Sequence, residues 1–272
     1  MADEKKYAVL DTDFVSKTHI IKNTREEHLI DRVLAFDGYE FYCHEMMADE
    51  LSRHGYRESQ EWLANRINNG MVRLFTDEMI LSAIEEFEKE KCFDRYLTFL
   101  RNSVEIFEVG YFDRHYGSLA SLTLQEDVTK EKFLAELKCC DERIGTSQSL
   151  GEKKAYILIQ YLQYLYGEEQ VCVFCSDDHN ARRGLASVGA GVACICVLSV
   201  FYKMRKIGVV KEEAAEFYDS YMEGCKRVNM TRIGVYEWNG TYRKVKTDMQ
   251  TVFDNIYADV YRIGRDGNLY QI

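Results

Sequence analysis

The chain contains no proline in 272 residues, so no X-Pro isomerisation can slow its folding. Positive charge is also in short supply: 35 Lys and Arg stand against 45 Asp and Glu, a formal net charge of -10. Phosphate binding is driven by cationic side chains that release counterions, so this balance argues against a general nucleic-acid coat protein. Solenoid-type repeats and low-complexity linkers are absent as well. What is present is enough apolar material for a core. A composition 46% hydrophobic and 13% aromatic excludes a disordered or collagen-like chain, and the length suits one large domain or a domain with an appendage.

The start MADEKKYAVLDTDF reaches an apolar strand by Tyr7 without the apolar region of a signal peptide, and the nine cysteines are odd in number. Both features point to reduced thiols in a cytoplasmic protein. Cys172 and Cys175 form a C-x-x-C, but within VCVFC a strand sends positions i and i+3 to opposite faces, which favours core packing over zinc or dithiol chemistry. Gly184 to Tyr202 is nineteen residues without a charge, long enough to span a bilayer. Gly189 and Gly191 interrupt it and VACIC is a good buried strand, so a strand leading into a helix is the preferred reading and no membrane partner is expected.

Strand and helix alternate along the first half: strands at Lys6 to Leu10, Tyr39 to Cys43 and MVRLF, with helices predicted at Thr24 to Ala35, Glu45 to His54 and Glu58 to Ile67. From Thr76 to Asp141 the pattern is helical only, a helical insertion spanning about 76–145. Alternation resumes with a helix at Gly151 to Tyr166, a strand at Gln170 to Cys175, a helix after Asp178, a strand at Val192 to Cys196 and helices through Met222. The expected fold is therefore α/β, a three-layer sandwich around a five-stranded parallel sheet. The body, 1–224, gives way to a tail, 225–272, with Asn239-Gly240 and Asp266-Gly267 turns that predict two β-hairpins with a short helix between them. Eight basic and five acidic groups give the tail a charge of +3 on a body of -13.

Asp11 follows the apolar run YAVL, and Asp177 and Asp178 follow VCVFCS, so both acidic positions fall just past the carboxyl ends of predicted parallel strands, where open α/β sheets bind ligands. Converging carboxylates repel unless a cation lies between them, which suggests metal-dependent phosphoryl or phosphodiester chemistry. Each acid alone also fits a helix cap: Asp11 to Asp13 before one helix, Asp177 or Asp178 before another, and Ser149 with Glu152 as a capping box.

Their joint order is more telling. A strand ending in VLDTDF, an acid-Leu pair in CHEMMADEL, Gly-Glu opening a helix in LGEKKA, and a strand leading into SDDHNARRGLA together resemble the PIN-domain nucleases. The likeness covers roughly residues 5–75 and 145–222 and is of the toxin-type branch. It implies an acidic cluster of Asp11, Glu50, Glu152 and Asp178, with Asp177 as neighbour or substitute and Thr12 as a hydroxyl near the metal. It further implies Mg²⁺ or Mn²⁺ supporting hydrolysis of RNA, less often single-stranded DNA, by an activated water without a covalent enzyme intermediate. An antitoxin protein occluding the cleft and a homodimer are the protein partners it suggests. Asp13 is an extra acid relative to the family pattern, and Arg182 and Arg183 are secondary candidates for steering a phosphate.

The insertion and the basic tail lie outside that pattern. Lys203, Arg205 and Lys206 with Arg243, Lys244 and Lys246 are the candidate backbone contacts, and Tyr242 or Trp238 the candidate base-stacking rings. Two other functions fit the same residues. VLDTDFV also matches the D-x-D of haloacid dehalogenase-like phosphohydrolases, with Asp11 as nucleophile, Asp13 as acid/base and Lys153 or Lys154 holding phosphate; Phe14 in place of glycine counts against it. A non-catalytic PIN-like interaction module is the other.

Overall fold

The computed structural model describes residues 5–145, 150–167, 172–186, 191–225, 231–237 and 239–272. Strands β1 (Lys6–Leu10), β2 (Tyr39–His44), β3 (Val72–Phe75), β4 (Cys172–Cys175) and β5 (Val192–Ile195) form one all-parallel sheet in the order β3-β2-β1-β4-β5. The expected α/β architecture with five parallel strands is what the chain adopts. Side chains alternate through the sheet: Ala8 and Leu10 enter one core, Tyr7 and Val9 the other. Cys175 and Cys172 part in the same way, as the strand period requires.

The strand order also explains the layers. From β1 to β3 the chain moves one way across the sheet, and right-handed crossovers lay the intervening helices α1 (Thr12–Ile20), α2 (Leu29–Leu34), α3 (Glu45–Arg53) and α4 (Arg57–Asn68) on a single face. From β3 the chain returns past β1 to β4, and the same handedness now sends its helices to the opposite face. These are α5 (Asp77–Glu88), α6 (Cys92–Glu105), α7 (Tyr111–Leu122), α8 (Lys130–Ile144) and α9 (Leu150–Tyr166), joined there by α10 (His179–Ala186). The helical insertion is thus one wall of the main sandwich, packed with α9 over Tyr7, Val9 and Phe174. Helices α11 (Val197–Lys206) and α12 (Lys211–Cys225) complete the first face.

Two local predictions differ from the structure. The helix expected over Thr24 to Ala35 is confined to Leu29–Leu34, because the Asn23 side chain accepts hydrogen bonds from the backbone N–H of Arg25 and Glu27 and holds a turn there. In addition α1 begins directly after Asp11, a helix whose extent the sequence obscures with β-branched and polar residues, although Asp11 to Asp13 fits a helix cap.

The tail contains β6 (Thr231–Tyr236), β7 (Tyr242–Thr247), α13 (Met249–Tyr257), β8 (Tyr261–Ile263) and β9 (Leu269–Gln271), the two predicted hairpins with their helix. The hairpins merge, since β6 pairs in parallel with β9, into a four-stranded sheet ordered β7-β6-β9-β8. Its inner residues Val235 and Leu269 and the α13 residues Val252, Phe253 and Ile256 belong to the same core as the first face of the body. The turn between β8 and β9 covers the open edge of β5, where Cys194 N–H donates to Arg265 C=O at 2.7 Å. No helix among the described residues is long and apolar enough to cross a membrane.

Candidate active site

Strand β1 runs to β2 on one side, while β4, reached only after the long return, lies on the other, so the β1/β4 boundary is the topological switch point. Asp11 sits there, 4% exposed, at the start of α1. Its side chain makes no cap hydrogen bond to that helix. It accepts instead from Ser176 Oγ at 2.9 Å, across the boundary. Burial pushes the Asp11 carboxyl well above the usual range, with the charge of Glu152 next; the Ser176 hydrogen bond opposes the shift, and Glu50 and Asp13 add to it. The pattern is of acids crowding one buried acid.

Glu50 reaches this edge from α3. One carboxylate oxygen accepts from Thr12 Oγ1 at 2.7 Å and the other from the backbone N–H of Gly151 at 2.9 Å, in the first turn of α9. A helix amino end favours an anion at that place. The contact is close enough that a Cβ on residue 151 would lie 2.2 Å from Glu50 Oε2, so glycine is what lets the carboxylate in. Glu152 follows on the same turn and, with Asp178, Lys153, Tyr111 and Glu108, lines a cavity of about 320 Å³.

Asp178 also caps α10, its Oδ1 accepting from Asn180 and Ala181 N–H at 2.6 and 3.0 Å. Asp177 accepts from Val197 N–H at 3.2 Å at the start of α11 and from Lys17 Nζ at 2.9 Å. Lys17 bonds Asp13 as well, at 2.9 Å, which gives the extra acid of the DTD segment an ion-pair role. Arg182 is buried at 8% exposure and donates to Ser176 C=O at 2.8 Å, so it supports the loop from below rather than facing a substrate, while Arg183 is exposed. Ser149 lies outside the described residues.

The candidate phosphate contacts are not gathered at this edge. Helix α11 starts beside Asp177 and leads away from it. At 1.5 Å per residue its last turn is roughly 10 Å farther on. There Lys203 Nζ lies 5.3 Å from the ring of Tyr39, at the amino end of β2. Arg205 pairs with Asp259, and Lys206 Nζ lies 3.9 Å from the same carboxylate. Arg243 is bonded to Gln271 and lies 3.4 Å from Glu237. Lys244 and Lys246 are exposed on β7. Trp238 lies outside the described residues.

Sequence reasoning missed a second polar centre beside the first. Lys154, fully buried, is held between Asp77 and Asp141, each at 2.7 Å. Asp77 also meets His44 Nε2 at 3.1 Å and the hydroxyl of Tyr96, and Asp141 accepts from Tyr116 at 2.7 Å. Burial opposes ionisation of Asp77, but Lys154 and His44 outweigh it and hold the carboxyl well below its usual range. Ligand atoms of His44, Glu45 and Asp77 lie within 4.8 Å of one another, a spacing that no three of Asp11, Glu50, Glu152 and Asp178 reach. Yet Asp77 is already neutralised by Lys154, whereas the groups that act on Asp11 are chiefly other carboxylates. In the sequence Lys154 stands out only as a candidate phosphate-holding lysine, and Asp77 lies in the first turn of a helix, where an acid is ordinary.

Compared with known proteins, the chain matches no protein-family model, no curated protein and no solved structure.

Proposed function

We propose that the chain is a PIN-like, metal-dependent nuclease, an endoribonuclease in the first instance. The observation that carries the reading is the buried Asp11 at the switch point with Glu50 and Glu152 acting on it and Asp178 on the wall of the adjoining cavity. The donor set is all oxygen, which suits Mg²⁺ or Mn²⁺; such ions need only one or two direct carboxylates and keep several waters. Asp11, Glu50, Glu152 and Asp178 would hold the metal, Asp11 innermost. When bound, the metal supplies a Lewis acid that lowers the pKa of water and offsets charge on the phosphodiester.

The chain's own residues supply the rest. Ser176 fixes the orientation of Asp11, and Thr12 with Gly151 N–H fixes that of Glu50. Lys153 also lines the cavity, its ammonium destabilised by burial and lying 4.5 Å from the centre of the Tyr111 ring. A phosphohydrolase of the haloacid dehalogenase type is less well supported, because Phe14 replaces the glycine of its pattern, Lys154 is sealed between two aspartates, which leaves Lys153 alone to hold phosphate, and Asp13 is paired with Lys17. A cytoplasmic setting, an antitoxin occluding the cleft and a homodimer belong to the nuclease reading.

The test is cleavage of 5′-labelled single-stranded RNA, with single-stranded DNA alongside. Wild type should cut in Mn²⁺ and not in EDTA, without a trappable phosphoenzyme, and Asp11→Asn should lose at least about a hundredfold in rate. Cleavage that survives EDTA, or a beryllofluoride-sensitive phosphoenzyme, overturns the reading.

A further inference from the structure

We propose that the outer face of the small sheet is a stacking platform for single-stranded nucleic acid. The assignment rests on the nuclease reading for the substrate's identity but on separate residues for its geometry. Tyr242 on β7, Tyr236 on β6 and Tyr270 on β9 form a row across three neighbouring strands, with ring centroids 5.1 and 5.2 Å apart. Arg262 on β8 extends the row, its guanidinium 5.7 Å from the Tyr270 ring. Strand alternation puts Lys244 and Lys246 on the same side as Tyr242, and the opposite side carries Val235 and Leu269 into the core.

Two glycines make room for the rings. A Cβ at Gly234 would come within 2.6 Å of the Tyr242 ring, and one at Gly264 within 2.3 Å of the Tyr270 ring, so both tyrosines lie down across bare backbone. Tyr242 is nevertheless 51% exposed. Among the described residues Lys244 and Lys246 take part in no ion pair, so both cations are free for phosphates. A row of rings in mutual contact, one of them half exposed, beside unpaired cations fits an unpaired strand; in a duplex the base faces are already stacked. Arg243, engaged with Glu237 and Gln271, is not part of this face.

The experiment measures binding of the full chain to a fluorescein-labelled oligouridylate by anisotropy in EDTA, which removes cleavage and metal bridging. The Tyr236→Ala/Tyr242→Ala double variant should raise Kd about tenfold or more, while Tyr236→Phe/Tyr242→Phe, which keeps the rings, should bind as wild type. Lys244→Glu/Lys246→Glu should weaken binding and reduce the salt slope by roughly 0.7 for each phosphate no longer neutralised. Wild-type affinity in both the alanine and the glutamate variants, equal competition by a duplex of the same length, or no binding at all would overturn the proposal. Tyrosine-dependent binding without any metal-dependent cleavage would uphold this face and sink the nuclease reading alone.

Discussion

Asp11 combines burial with a carboxyl raised by that burial and by Glu152 and Glu50, so its ionised form opposes folding. An acid whose pKa is higher folded than unfolded loses stability as pH rises from the ordinary aspartate value, about 3.9, until the raised value is passed. Asp11→Asn should therefore melt above wild type in EDTA at neutral pH, by about 2–4 °C per kcal/mol relieved. The gap should shrink toward acid and close when Mn²⁺ is added to wild type; an asparagine variant that melts lower throughout would contradict this. Lys154 has the opposite character, with its charge offset by Asp77 and Asp141. Lys154→Met leaves two buried carboxylates without their cation, at a cost of about 3–5 kcal/mol by urea unfolding; a loss under about 1 kcal/mol would show that the network contributes little. At this scale the sequence was informative where a residue's place follows from its element, as for Asp11 at a strand end. It was silent where a role depends on a distant partner: Lys17 meets Asp177 160 positions away, and Lys154 meets Asp77 77 positions away.

At the scale of elements, the meeting of α3 with the amino end of α9 is what brings Glu50 to the sheet edge. Gly151 is a poor helix former in itself, yet it sits in the first turn of a helix whose next residues are buried nearly all round. Gly151→Ala should raise intrinsic helix stability by up to about 1 kcal/mol, while its Cβ displaces the Glu50 carboxylate. The expected result is an unchanged or slightly higher Tm with RNA cleavage reduced at least about tenfold; full activity would show that Glu50 need not stand there. Strands and long helices were legible from their periods, and the hairpin turns from Asn239-Gly240 and Asp266-Gly267. The extent of helix α1 was not, because Thr12, Val15 and Thr18 weaken helix propensity and packing against the core restores it. The order of β3-β2-β1-β4-β5, which makes Asp11 and Ser176 neighbours, came from topology that residue patterns alone left open.

For the whole molecule, the acidic body and the basic tail, distinct in charge, share a hydrophobic core. Phe253 stacks on Tyr218 at 4.4 Å, and the Tyr218 hydroxyl donates to Met249 C=O. Val252, Phe253 and Ile256 are fully buried, and each is worth about 1.5–3 kcal/mol. A chain ending at 230 should lose its cooperative melt, bind a hydrophobic dye and aggregate, since β5 also loses its edge cover; a soluble fragment melting as wild type would contradict this. The tail's composition announced a separate appendage, and only its packing reveals a structural part of the body. On the proposed reading, the same uneven charge would give nucleic acid two kinds of contact, a cluster that needs divalent metal and a face that does not. The central claim concerns the cluster, and anomalous diffraction from a crystal soaked in Mn²⁺ tests it most directly. The account predicts a peak among Asp11, Glu50, Glu152 and Asp178 that disappears in Asp11→Asn. A peak at His44, Glu45 and Asp77 instead, or none at either place in wild type, would contradict it.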